Sequence, residues 1–228
     1  MRLGIVSGLA SEAACLRVFD VESRLRVRCA GAGPTAARSA ASTLLAEGCT
    51  ALVSFGCAGG LDPRLGPGTV MVATEIVDRQ GGRFPTDRSW CARVLTALGD
   101  SVGEAFAGRL LGNDSMLASA AEKQRLASEL AASLVDMESH AIARVAAEAG
   151  VPMLAIRVVC DQATTSLPVW LDGVVGEDGK PRTGQVVARL AAHPSDLGRV
   201  LKLAANQRAA LKTLRRVALR VGPLFALG

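Results

Sequence analysis

The sequence predicts an α/β protein with a largely parallel or mixed sheet and helices packed on it. Strand-sized apolar runs alternate with stretches of helical periodicity, the pattern of strand–helix–strand units. One run, residues 151–159, is almost continuously apolar, as suits a strand buried on both faces. Half of the 228 residues are hydrophobic, yet only seven are aromatic and none is Tyr, so the core has to be built from Ala, Val and Leu. A chain of this length buries a substantial core in one domain. Residues 1–228 are read as one domain in which 182–220 form a basic helical extension.

Taken in order, Leu3–Ser7 reads as a first buried strand, and 11–18 as a short helix with Ser11 at its N-cap. Residues 25–30 are a second strand, ending in Gly31 and Gly33. Pro34 then opens an Ala-rich helix over 34–47 that Gly48 closes. Residues 51–55 form a short strand entering the turn Gly56-Cys-Ala-Gly-Gly60. Strand 69–77, a polar loop over 79–87 and a helix over 119–132 follow. Residues 138–149 are helical, with apolar positions at 141, 142, 145 and 146, and lead into strand 151–159. A Gly- and charge-rich break at 173–181 separates this body from helices over 183–190 and 197–219. The second of these is amphipathic and strongly basic, and is read as an appendage to the body.

Composition narrows the function classes. No apolar run approaches the roughly 20 residues of a membrane span. Residues 1–10 hold one Arg and a short apolar run, but Ser11 and Glu12 interrupt it too early for a secretory signal. Six scattered cysteines without a CxxC pair behave as small core residues in a reducing compartment, so the cytoplasm is the expected address. With only two histidines, both far from any Cys pair, no zinc or other metal is expected. The net charge of +5 is concentrated: nine Arg or Lys and one acid, Asp196, lie between Arg182 and Arg220. Such a tail suits an anionic membrane surface at the inner face, whereas nucleic acid is not expected because stacking aromatics are missing.

Several segments are candidates for chemistry. Cys29-Ala-Gly-Ala-Gly-Pro-Thr-Ala-Ala37 looks like a dinucleotide-binding turn, but its third glycine position is Ala36 and the acid that should follow is missing; no cofactor is expected. The plainer reading is a tight strand-to-helix turn that brings amides toward an oxygen. The Gly56–Gly60 segment lets a ligand approach backbone closely, or is simply a turn. In Asp136-Met-Glu-Ser-His-Ala141, helix capping accounts for Asp136, and His140 reads as structural. Asp161, after a buried strand, stands where open α/β sheets bind ligands, or caps the next loop.

Four motifs in order give these acids a chemistry: Gly4-Ile-Val-Ser-Gly-Leu-Ala-Ser-Glu12; Gly56-Cys-Ala-Gly-Gly60 with Gly68-Thr-Val-Met-Val; Val135-Asp-Met-Glu138; and Ile156-Arg-Val-Val-Cys-Asp161. Over about residues 1–163 the chain resembles the purine nucleoside phosphorylase and nucleosidase superfamily, above all its methylthioadenosine/S-adenosylhomocysteine nucleosidase branch. The resemblance implies a phosphorylase/hydrolase-like three-layer fold: a central mixed sheet flanked by helices, plus the basic C-terminal extension. It implies that Asp161 protonates purine N7, Glu138 holds the ribose hydroxyls above Met137, and Glu12 activates the attacking water. Arg157 would lie near the nucleophile and the sugar acid; Cys57, Ala58 and Gly59 would line the pocket; Met116 and Leu117 would contact the base. Met116 replaces a stacking aromatic, though a thioether packs on a π-face. Phe55 stands where the phosphorylases carry a phosphate-gripping Arg, which favours hydrolysis; Arg38, Arg79, Arg83 and Arg157 are the remaining candidates for phosphate.

The tail adds a substrate expectation. Trp170-Leu-Asp, Asp178-Gly-Lys-Pro-Arg182, His193-Pro-Ser-Asp-Leu197 and the Arg-rich helix resemble the hopanoid-associated phosphorylases. That implies adenosylhopane as substrate, with adenine released in hopanoid biosynthesis, and a homo-oligomer, expected as a dimer. A basic amphipathic helix also suits a membrane where such a lipid resides, or packs on the body or a second subunit.

Overall fold

The computed structural model describes residues 1–19, 24–99 and 103–227. Its strands are β1 (Leu3–Ser7), β2 (Leu25–Cys29), β3 (Ala51–Gly60), β4 (Val70–Asp78), β5 (Arg83–Pro85), β6 (Ala105–Gly112), β7 (Leu134–Asp136) and β8 (Met153–Asp161). The helices are α1 (Ala10–Ala14), prolonged by a 3-10 turn at Cys15–Val18, then α2 (Pro34–Ala46), α3 (Arg88–Leu98), α4 (Ala120–Leu130), α5 (Ser139–Ala149), α6 (Thr183–Ala192) and α7 (Leu197–Val221). β1 pairs in parallel with β2 and β3, and β3 with β8, while β4 runs antiparallel to β8 and β7 antiparallel to β3. With β6 joining β4 to β7, strands β3, β8, β4, β6 and β7 close on themselves, and the sheet is mixed as expected.

Helices cover both sides. On one, Ala37, Ala41 and Leu44 of α2 pack with Ile142, Val145 and Ala146 of α5. On the other, Trp90, Val94 and Leu98 of α3 meet Ala210, Leu214, Val217 and Ala218 of α7. Small side chains on α2 and α5 let their backbones lie close to the sheet, which is how an aromatic-poor chain fills its core.

The structure corrects several local expectations. Residues 56–60 are not a turn but the end of β3, and Ser11 is not the N-cap of α1, which Leu9 occupies. Met116 and Leu117, expected to contact the base, lie in a loop after β6. β5, α3, β6 and β7 were not anticipated: α3 lacks the clean apolar run of its neighbours, and β7 is three residues long. α7 is only half an appendage. Its second turns-length, through Val221, buries Leu214, Val217 and Val221, and Phe225 beyond it is fully buried. There the Phe225 carbonyl accepts the indole N–H of Trp90 at 2.6 Å, and its ring meets Phe55 edge-on at 5.5 Å. By contrast α6 buries no residue, and Leu197 and Leu201 of α7 are largely exposed.

Candidate active site

Of the three carboxylates, Glu12 and Glu138 are held by backbone amides and Asp161 by a buried lysine. Glu12 lies in the first turn of α1, is 4% exposed, and has both oxygens held: Leu9 N–H donates to Oε2 at 2.9 Å and Cys57 N–H to Oε1 at 2.7 Å. Glu138 precedes α5, and its Oε1 accepts the Gly33 amide at 3.1 Å. Asp161 ends β8, where a bulge skips Cys160 and sets Asp161 opposite Gly59. Each acid rests against a glycine. A Cβ would stand 2.8 Å from the Glu12 carboxylate at Gly56, 3.0 Å from Glu138 Oε1 at Gly8, and 3.2 Å from either Asp161 oxygen at Gly59. The glycines of motifs 4–12 and 56–60 therefore act by making room for charge.

The Gly31–Gly33 turn has the role of presenting an amide. Both glycines have positive φ, 84° and 102°, which L side chains rarely adopt. That geometry starts α2 at Pro34 and aims the Gly33 N–H at Glu138.

Near Glu12 and Glu138 lies a buried ion pair. Arg157 donates through Nε to Asp136 at 2.6 Å, and through Nη2 to Ser54 Oγ at 2.6 Å and Ser139 Oγ at 2.9 Å. Asp136 also accepts the Ser139 amide at 3.1 Å, so it caps α5 while neutralising the arginine. Arg157 thus faces the structural network, not a free anion site. Burial alone would lower its basicity, and Asp136, Glu138 and Glu12 together outweigh that and raise it. Glu12 is raised by burial, opposed by the Cys57 amide and by Arg157. Glu138 is pushed up to about 7, first by burial and then by repulsion from Asp136. Burial thus raises the proton affinity of both carboxyls, a property that clusters at sites of proton chemistry.

The remaining candidates fall in different places. Met137 is half-buried beside Glu138, and Cys57 is half-buried with its sulfur facing Gln207 Nε2 of α7 at 3.5 Å. Ala58 is buried, and its carbonyl accepts the Cys160 thiol at 3.4 Å. Met116 is half-buried in the loop after β6, whereas the Leu117 side chain is in the core with Leu111, Leu126 and Val135. Any contact of Leu117 with a base would therefore involve its backbone. His140 is 5% exposed and bonds Asp114 at 2.9 Å, bracing that loop.

The other arginines considered for phosphate have carboxylate partners: Arg38 with Glu148, Arg79 with Glu122, and Arg83 with Glu75. Beside Asp161 opens a cleft of about 280 Å³, bordered by Thr165, Leu167 and, from α7, Arg199, Lys202 and Asn206. A larger groove of about 590 Å³ between α1 and α7 is lined by none of the three acids, so size alone does not mark the site. The 173–181 segment folds back on the rim. Its Gly179 carbonyl accepts the Ala10 amide at 3.0 Å, and Gly31 packs against Glu177.

One residue that sequence reading missed is Lys123 of α4, 1% exposed, whose ammonium meets Asp161. The signal was available: Lys123 shares a helical stripe with Leu126, Ala127 and Leu130, a charged residue at an apolar position.

The profile described as Phosphorylase superfamily matches residues 22–192. A 5'-methylthioadenosine/S-adenosylhomocysteine nucleosidase of Mycobacterium tuberculosis is 28% identical over 176 residues, 60% of this chain and 69% of that protein. Among solved structures, futalosine hydrolase of Helicobacter pylori superposes with a TM-score of 0.73 at 17% identity, covering 95% of both chains. The Helicobacter pylori 5'-methylthioadenosine/S-adenosylhomocysteine nucleosidase with butyl-thio-DADMe-Immucillin-A gives 0.69 at 18% identity, covering 95% of this chain and 97% of that one.

Proposed function

Because this chain belongs to the phosphorylase superfamily, we propose that it is a purine nucleosidase that hydrolyses the N-glycosidic bond of adenosylhopane, releasing adenine and leaving ribosylhopane. What supports the reaction is that Glu12 and Asp161 both lie against β3, at Gly56 and Gly59, with Glu138 against Gly8 and near enough to Glu12 to feel its charge. As the bond from C1′ to N9 breaks, its electron pair goes to the base and the sugar becomes oxocarbenium-like. Asp161 gives its proton to N7, so that the base leaves neutral. Water attacks C1′ and its proton goes to Glu12, whose raised affinity suits a base. Proton delivery of this kind contributes roughly 10²–10⁴-fold. Glu138 holds the ribose hydroxyls, and the nearby negative charge favours the developing cation. Over the cycle Asp161 loses one proton and Glu12 gains one, and exchange with solvent restores both.

Water is favoured over phosphate because Phe55 is fully buried where an anion-gripping Arg would stand, and the four candidate arginines already have acidic partners. The lipid end of the substrate is argued from the tail. α6 and the first half of α7 expose Val187, Leu197 and Leu201 among Arg and Lys, and α7 borders the Asp161 cleft. Apolar side chains ringed by cations suit an anionic membrane surface, from which a nucleoside with a polycyclic tail would enter. No helix among the described residues is long and apolar enough to cross a membrane, so attachment would be peripheral.

The test is to supply adenosylhopane, with and without phosphate, and identify products by mass. Adenine and ribosylhopane without phosphate support the reading; a strict need for phosphate makes the enzyme a phosphorylase. Faster release of adenine from methylthioadenosine than from adenosylhopane would favour a methylthioadenosine/S-adenosylhomocysteine nucleosidase, the activity named for the Mycobacterium tuberculosis relative. Release from neither would leave a nucleoside-binding protein. A dimer is the expected assembly, checked by light scattering.

A further inference from the structure

A lysine ammonium is expensive to bury, and it persists only where every proton finds an acceptor. Lys123 meets that condition. It reaches Asp161 Oδ2 in a close ion pair, and donates to the carbonyls of Gln162 at 3.3 Å and Thr165 at 3.2 Å. The helix that carries it is tied to the same loop. Leu167 N–H donates to Ala118 O at 2.9 Å, and Ala120 N–H to Ser166 Oγ at 3.3 Å. One end of α4 and the chain after β8 therefore form a single unit whose buried charge lies on the carboxylate of Asp161.

We propose that Lys123 is a positioning residue for the leaving base: it clamps Oδ2 of Asp161 so that Oδ1 is aimed at the purine, and it stabilises the carboxylate that remains once the proton has moved. The inference rests on the reading of Asp161 as the acid that protonates the base. Two features make the clamp specific. Gly59 on the other side has no Cβ, which would stand 3.2 Å from both oxygens, so the carboxyl fits between the lysine and β3. Among the described residues the hydrogen-bond neighbour of Oδ1 is the Cys160 thiol at 3.6 Å, a weak one, which leaves this oxygen available to a ligand. The lysine adds no atom to the reaction. Asp161, a carboxylate in the ion pair, first takes a proton from solvent on Oδ1; that proton passes to N7, the carboxylate of the pair is restored, and the ammonium keeps its three protons throughout.

The distinguishing measurement compares leaving groups. A purine has to be protonated to depart, whereas 4-nitrophenol leaves a riboside as a stable phenolate without a proton. Lys123→Met and Lys123→Gln are assayed on adenosine-type substrate and on 4-nitrophenyl riboside, beside Asp161→Asn. A misdirected catalytic group costs on the order of 100-fold, so purine release should fall about 100-fold in both lysine variants, with hydrolysis of the nitrophenyl riboside within about threefold of wild type. Equal losses on both substrates would show that Lys123 only supports the fold, and no loss on the purine would remove it from the mechanism. If Asp161→Asn itself fails to separate the two substrates, the acid role of Asp161 is wrong; if it separates them and the lysine variants do not, only the clamp is wrong. Should the single variants not fold, Lys123→Gln is added to Asp161→Asn, which removes both charges of the pair. The double variant should then release purine at the rate of Asp161→Asn alone, and a further loss would overturn the proposal.

Discussion

Glu138→Gln should make the protein more stable in alkali while abolishing turnover. Burial and repulsion from Asp136 raise the Glu138 carboxyl from an ordinary 4.5 to about 7. Each tenfold change in proton affinity corresponds to about 1.4 kcal/mol, so ionised Glu138 costs the folded state about 3 kcal/mol. The sign follows from the direction of the shift. The folded form binds the proton more tightly than the unfolded chain, so wild-type stability is full below the unfolded value and declines as pH rises through about 7. Glutamine has the same shape, still accepts the Gly33 amide and does not titrate. Its advantage should be near zero at pH 4.5 and complete above pH 8. In a chain of this size 1 kcal/mol is worth roughly 2–4 °C, which predicts a rise of roughly 6–12 °C in Tm at pH 8.5. Thermal unfolding at the two pH values, with adenine release measured alongside, tests it. An advantage equal at both pH values, or a less stable variant at pH 8.5, would refute the account of Glu138 as a strained buried acid.

Other outcomes follow from the same geometry. Glu12→Gln should lower adenine release by roughly 10²-fold or more in assays without phosphate, and near wild-type rates would remove Glu12 as the base. Phe225→Ala opens a hole beneath Trp90 and Phe55 and should cost roughly 3–5 kcal/mol in urea unfolding; a loss below 1 kcal/mol would mean that the chain end is not part of the core. Val187→Asp combined with Arg189→Glu on α6 should abolish co-sedimentation with anionic liposomes at low salt, each charge contributing about 1 kcal/mol. That variant should leave turnover of a soluble adenosine analogue unchanged, and liposome binding indifferent to salt or to these substitutions would end the membrane proposal.

Much of the fold was legible in the sequence because it was written locally. The apolar run that became β8, the Pro34 start and Gly48 end of α2, and the spacing 141, 142, 145, 146 on α5 each follow from periodicity and capping within a dozen residues. The three candidate acids stand out through their motifs. What sequence alone could not decide was what each group faces. Gly56–Gly60 reads as a turn because glycine disfavours strands, yet it is the end of β3, where a neighbouring strand and two carboxylates supply the reason for having no side chain. Arg157 looks like a ligand contact until Asp136, Ser54 and Ser139 close around it from three other elements. The second tail helix, 197–219, reads as one amphipathic appendage, but only tertiary contact divides it into a half that covers the sheet and a half left in solvent. Lys123 is the clearest case. Its charge marks it as a surface residue in any local reading, and only the approach of β8, thirty-eight residues away along the chain, makes burial of that charge favourable. Local propensity determines which elements form; the electrostatics of a site depend on groups that become neighbours only when the chain closes on itself.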